Sequence, residues 1–224
     1  MSANTILLTG FGPYANVSVN PAQTVTEALD GETIAGAKLH GHILPGGFFK
    51  CIEAITALID EMKPDLVVMM GEYSGRSMLT VERIAQNFDD ATRYGLEDNF
   101  GYSPTNEKIV EDGPVAYWSN APIRAMVKAM RAANVPADIS DAAGTLCCNH
   151  LMYGALHHIN SNGLPIRAAW IHLPTLPEVA AHVDHLNMPS MSTETSVTGV
   201  RAGIQAMVEN EKDIQEVSPS RFQI

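Results

Sequence analysis

Three side chains in this sequence, Cys148, His172 and Glu82, are of the types that together perform acyl transfer. A cysteine sulfur attacks a carbonyl once its proton is gone. Imidazole takes that proton and later hands it to a leaving amine, and a carboxylate holds the imidazole in the productive tautomer. Cys148 follows Ala142-Ala143-Gly144-Thr145, so a cap by the Thr145 hydroxyl would put it in the first turn of a helix, where amide dipoles favour a thiolate. Cys147 is its neighbour, and spacing alone does not choose between them; the ordinary reading of either is a small buried hydrophobe. His172 ends the apolar run Ala168-Ala169-Trp170-Ile171 and precedes a Leu-Pro turn. His150, His157 and His158 lie on the helix after the cysteine and compete for the role of base, although His150, two residues from Cys148, falls on another helix face. Glu82 stands among apolar neighbours in Thr80–Ala85, where a buried carboxylate needs a partner. A solvated Glu82, or one paired with Arg83, is the competing reading.

These residues need elements to carry them. Apolar runs at Thr5 to Thr9, Lys38 to Leu44, Asp65 to Met70, Ala137 to Ser140 and Ile166 to Leu173 read as strands, as does Leu79 to Asn87 with mixed polarity and a short stretch at Val115 to Trp118. Helical patterns run from Asn20-Pro21 to Leu29, Phe48 to Met62, Ile123 to Ala133, Leu146 to His158 and Thr193 to Val208. Such alternation predicts a single α/β domain over residues 1–224: an open, twisted, mostly parallel sheet sandwiched by helices on both faces. Ligands bind beyond the carboxyl ends of strands in such sheets. Gly10 to Tyr14, Gly71 to Gly75, Asp141 to Cys148 and His172 to Pro174 are therefore expected along one edge. The Asp-, Asn-, Gly- and Pro-rich segment from Phe88 to Gly113 is long for a connection and reads as a functional loop or cover. Glu211 to Ile224 reads as a polar tail that frays.

Composition narrows the partners. With 46% hydrophobic and 17% charged residues in 224, the chain is an ordinary folded protein. A formal charge of −11 repels a phosphate backbone, and no basic stripe with interleaved aromatics offsets it, so nucleic acid is not an expected partner. The N-terminus MSANTILLTGFGP has no cationic leader, and no run approaches the roughly 20 apolar residues that cross a bilayer, so a soluble cytoplasmic protein with no membrane partner is expected. Three cysteines, two of them adjacent, do not suggest a disulfide framework, and without CxxC or HExxH the usual zinc spacing is missing; no metal is expected.

Four separated segments together resemble the pyroglutamyl peptidase I family of cysteine peptidases, also called pyrrolidone carboxyl peptidases: TGFGPYANVSVNPA (9–22), GEYSGRSMLTVERIAQN (71–87), SDAAGTLCCNHLMYGALH (140–157) and WIHLPTLPE (170–178). MPSMSTET after them resembles the start of the family's final helix. The family cysteine is the one before Asn, so the resemblance selects Cys148, with His172 and Glu82 at the matching positions. It implies cleavage of an N-terminal pyroglutamyl residue from a peptide with a blocked N-terminus through a thioester, an α/β sandwich subunit, no metal or organic cofactor, and a homotetramer. Phe11 and Tyr14 match its aromatic ring-binding positions. Three departures accompany the match. Glu72 stands where many members carry Gln or an apolar residue, and its carboxylate is expected to accept from the lactam N–H. Ala15-Asn16 replaces a usual Gly-Gly, and Tyr14 adds a hydroxyl where Phe is common. DDATRYGLEDN loosely resembles a DDARIPDN stretch, which makes Arg93 the displaced counterpart of an arginine near the oxyanion. A hydrolase of another N-capped amide and a non-catalytic peptide binder are the alternatives.

Overall fold

A computed structural model describes residues 3–14, 17 and 19–221. In chain order the elements are β1 (Thr5–Phe11), α1 (Pro21–Leu29), β2 (Thr33–Ile34), β3 (Ala37–Leu44), α2 (Lys50–Met62), β4 (Leu66–Glu72), β5 (Leu79–Glu82), β6 (Ile84–Gln86), β7 (Ala116–Trp118), α3 (Ile123–Ala132), β8 (Ala137–Ser140), α4 (Cys147–Ser161), β9 (Arg167–Leu173), α5 (Pro177–Ala180) and α6 (Thr193–Glu209). Local chemistry sets several boundaries. Asn20 caps α1 by accepting from the Ala22 N–H at 2.9 Å, with Pro21 in the first turn, where its missing N–H costs nothing. Helix α2 stops at Lys63, left-handed at φ 48°, because the next residue is proline. Ser192 caps α6 through the Thr195 N–H.

The main sheet has the order β2-β3-β1-β4-β9-β5-β8. Its central strands β1, β4 and β9 are parallel and buried along nearly their whole length, which is why they read as unbroken apolar runs rather than alternating ones. Ile6, Leu8, Val68 and Met70 face a core shared with α1, α3 and α6, while Leu7, Val67, Met69 and Trp170 face one shared with α2 and α4. Helices thus cover both faces, as the alternation predicts.

Three expectations change, two of them in the sheet. Leu79 to Asn87 divides at Arg83, whose N–H bonds the Ser140 carbonyl while its carbonyl accepts from Ser119, so β5 joins the main sheet and β6 pairs with β7 in a separate ribbon. Strand β5 is antiparallel to β9, and β8 follows β5, so only Gly10 to Tyr14, Gly71 to Gly75 and His172 to Pro174 leave the carboxyl ends of co-directional strands. Cys148 is brought back to that edge by the segment 141–146.

The expected frayed tail is instead docked on α3 as far as the described residues reach. Helix α3 has no side-chain cap of its own, and the Asp213 carboxylate accepts from the Arg124 and Ala125 N–H groups at 3.1 Å. Lys128 pairs with Glu216, and an Arg131 Nη donates to the Pro219 carbonyl at 2.8 Å.

Candidate functional site

Where β4, β9 and α4 meet, three sequence-predicted residues come together. His172, at the penultimate position of β9 and fully buried, donates its Nδ1–H to Glu82 Oε1 at 2.7 Å; Glu82, at the end of β5, is buried too. Because the carboxylate accepts at Nδ1, the imidazole keeps its lone pair on Nε2, and Nε2 has no hydrogen-bond partner among the described residues. The ring is clasped edge-to-face by Tyr73 at 5.1 Å and Trp170 at 5.4 Å between centroids. Gly71 brings the thiol to it. A Cβ on Gly71 would stand 2.8 Å from the Cys148 sulfur and 3.7 Å from His172 Cδ2, so the bare α-carbon allows thiol and imidazole to close on one point.

Helix α4 begins at Cys147 with Leu146 as its cap residue and no side-chain cap bond. Thr145, expected to cap it, donates its hydroxyl to the Asp90 carbonyl at 3.2 Å instead. Cys148 nevertheless occupies the first turn, where amide N–H groups lack intrahelical acceptors. The expected thiolate does not follow. Cys148 retains some surface on a cavity, but protein encloses it elsewhere; burial first, then the carboxylates of Glu82 and Glu72, push its thiol up to about 12 against the opposing pull of Arg76. Burial also lowers His172, outweighing Glu82, so imidazole is neutral at neutral pH. Burial by itself would raise Glu82, but the hydrogen bond and charge of His172 and the charge of Arg76 hold it below the usual carboxylate range. The resting site is a neutral thiol beside a neutral, oriented imidazole, an arrangement suited to moving the thiol proton during attack.

Beside Cys148 lies a cavity of about 130 Å³, walled by Phe11, Tyr14, Phe48, Glu72 and Leu146 and small compared with the roughly 300–1,000 Å³ of drug-sized sites. Glu72 Oε1 accepts from the Thr175 and Ser74 hydroxyls at 2.6 and 3.0 Å, and Oε2 from the Tyr14 hydroxyl at 3.3 Å. A carboxylate has about four acceptor positions, and bonds from the described residues take three of them, leaving one on Oε2. Ala15 and Asn16 lie outside the described residues. The long segment 88–113 supplies the outer wall through Leu96 to Asn99. Asp98 accepts from the Phe48, Phe100 and Tyr102 amides at 2.8–2.9 Å, and Asn99 bonds the Gly46 and Pro13 carbonyls at 3.0 Å.

Arg93 is not part of this site. It is exposed on the 3₁₀ turn Thr92–Tyr94, with its guanidinium over the Tyr94 ring at 5.5 Å, because that turn points the side chain to solvent. The arginine that does reach the buried pair is Arg76. An Nη donates to Glu82 Oε1 at 2.7 Å, and the guanidinium carbon lies 3.8 Å from the Tyr73 ring centre. Its only sequence signal was a lone arginine six residues before a glutamate isolated among apolar residues. Arg83, the competing partner for Glu82, pairs with Asp141. His150 faces away from the thiol as its spacing implies: its Nδ1 bonds Asp89 and its Nε2 accepts from the Phe49 N–H at 2.9 Å. His157 bonds Tyr117 and His158 bonds Asp60. Among the described residues no group of three or more His, Cys, Asp or Glu is placed to hold a metal ion, and no helix is long and apolar enough to cross a membrane.

The family model described as pyroglutamyl peptidase matches residues 4–210. A pyrrolidone-carboxylate peptidase of Mycobacterium tuberculosis is 57% identical over 219 residues, covering 98% of this chain and 99% of its own. Among solved structures, pyroglutamyl peptidase I of Bacillus amyloliquefaciens is similar with a TM-score of 0.90 at 31% identity, covering 94% of this chain and 100% of that one. The pyrrolidone carboxyl peptidase of Thermococcus litoralis has a TM-score of 0.90 at 33% identity, with 98% and 100% covered.

Proposed function

The chain belongs to the pyroglutamyl peptidase family and removes an N-terminal pyroglutamyl residue from peptides, and from that premise we propose that it does so by acyl transfer to Cys148. His172 Nε2 takes the thiol proton as the sulfur attacks the pyroglutamyl carbonyl. The oxyanion is held by the Cys148 N–H at the start of α4, a donor of a kind typically worth about 100 to 1,000-fold in rate. The imidazolium then protonates the departing amine, leaving a thioester. A water molecule gives its proton to Nε2, attacks the thioester and frees pyroglutamate, and the sulfur recovers the proton. Glu82 orients the imidazole throughout and stabilises its charged form. The observation that carries this reading is the Nδ1 bond to Glu82, which leaves Nε2 without a partner among the described residues, beside the glycine that Cys148 also approaches.

The cavity suits the ring. A lactam-capped terminus has no ammonium group, so apolar faces from Phe11 and Tyr14 cost it nothing, and the free position on Glu72 Oε2 accepts the lactam N–H. The cysteine pattern, three residues of which two are adjacent, supports a cytoplasmic enzyme, and the resemblance in motifs supports an exopeptidase working as a homotetramer on peptides with blocked termini.

A pyroglutamyl amide of a fluorescent amine tests the reading. It is expected to be hydrolysed, to be protected by iodoacetamide treatment of the enzyme, and to be cleaved at least about 1,000-fold more slowly by a folded Cys148→Ser variant. The base works only when neutral, above its pKa, and His172 is lowered, so the acid limb of kcat/KM is expected below about pH 6.5. Full activity in Cys148→Ser refutes the nucleophile.

A further inference from the structure

The most enclosed charge at the site, on Glu82, is held by a residue outside the three that carry the reaction. We propose that Arg76 is a positioning residue for acyl transfer: it fixes Glu82 beneath His172 and offsets its charge, so that the imidazole stays neutral and free to receive the thiol proton. This rests on the role given to His172 above.

Its burial and its contacts, among them one to the Thr80 hydroxyl on β5, point to it. Arg76 leaves the turn between β4 and β5, yet its side chain is only 9% exposed. An Nη bonds Glu82 Oε1, the same oxygen that accepts from His172. The other Nη reaches the Ser140 hydroxyl at 3.3 Å and the Ala142 carbonyl at 3.4 Å, where β8 ends and the chain turns back toward Cys148. The planar face covers Tyr73, whose ring stands edge-on to the imidazole. One guanidinium therefore ties β5, the end of β8 and the turn after β4 together around His172, a task that suits a rigid fork and not a single ammonium.

Its charge is placed as deliberately as its shape. A buried carboxylate with no countercharge either takes up a proton or, if it stays ionised 2.7 Å from an imidazole, drives that imidazole to the charged form. Both outcomes remove a component of the base. The groups that face His172 are Glu82 from β5, Arg76 from the turn before it, Cys148 from α4 and Tyr73 after β4, with Glu72 and Tyr14 beyond the sulfur. Of these, Arg76 alone is a cation. Its field opposes Glu82 at the imidazole and acts in the same direction as burial.

The test compares full-length wild type, Arg76→Gln and Arg76→Lys. In Arg76→Gln, kcat for the pyroglutamyl amide is expected to fall about tenfold or more with KM within about twofold, and the acid limb of kcat/KM to rise by about one pH unit. Arg76→Lys, which keeps the charge without the fork, is expected to hold the limb at the wild-type position with kcat partly restored. The His172 imidazole is followed in parallel by NMR of histidine-labelled protein without substrate. A wild type that fails to cleave the amide thus refutes the functional reading while Arg76 is still decided by the titration. A His172 titration in Arg76→Gln that is unchanged or displaced to lower pH overturns the proposal, as does an effect confined to KM. Should Arg76→Gln fail to fold, Arg76→Lys decides: a limb in the wild-type place with reduced kcat supports the role, and a limb displaced upward overturns it.

Discussion

Burial and helix position pull the Cys148 thiol in opposite directions. The amides at a helix N-terminus are worth up to ~2 kcal/mol in partly buried geometries. A thiol pushed to about 12 from the 9.0 of an isolated group corresponds to ~4 kcal/mol against the thiolate. Burial and the two carboxylates therefore prevail, and the thiol proton leaves only as His172 takes it. The sequence pattern could place Cys148 in a first turn, since Gly144-Thr145 announces a helix start. It could not reveal the enclosure, which comes from Gly71, Trp170 and Glu82 in distant segments. Gly71 makes this geometry testable. Gly71→Ala would drive a methyl into the sulfur and the Trp170 ring, and overpacking of that kind costs about 1–3 kcal/mol. Thermal unfolding is expected to show that loss, and kcat to fall by more than about tenfold because Cys148 and His172 are forced apart. A Gly71→Ala enzyme with wild-type Tm and kcat contradicts the close approach.

Elements with a strong local signature were readable, and those defined by a distant partner were not. The central strands and the five long helices follow from apolar runs, the Asn20-Pro21 start and the Lys63-Pro64 stop. The division of β5 from β6 depends on Arg83 bonding Ser140 and Ser119, and the reversal of β5 and β8 depends on pairing with β9; neither leaves a trace in local composition. The polar segment after α6 shows the same limit. Its residues look like a solvated end, yet Asp213 supplies the cap that Pro122 cannot give to α3. Replacing Asp213 by Ala is expected to cost about 0.5–2 kcal/mol, measured by denaturant unfolding, with kcat/KM unchanged because α3 lies on the sheet face opposite α4. A stability equal to wild type would return the segment to a frayed tail.

At the scale of the molecule, three parallel strands buried on both faces form a rigid edge, and the residues that touch the cavity come from their ends, from α4 and from the segment that closes over them. The pair His172–Glu82 and the aromatic walls were legible because four ordered motifs, each with an expected residue, specify more than any single histidine or cysteine. Arg76 lay inside one of those motifs without a stated task, and Arg93 was chosen from a loosely matching stretch whose turn faces solvent. The whole arrangement serves one event, the passage of a pyroglutamyl group onto a particular sulfur. Rapid acid quench of wild type during turnover, followed by digestion and mass spectrometry, observes that event directly. The account predicts one pyroglutamyl group as a thioester on Cys148, and none on Cys147 although both residues line the cavity. Acyl transfer to Cys147, or undiminished turnover by a Cys148→Ala enzyme that carries no covalent adduct, would contradict it.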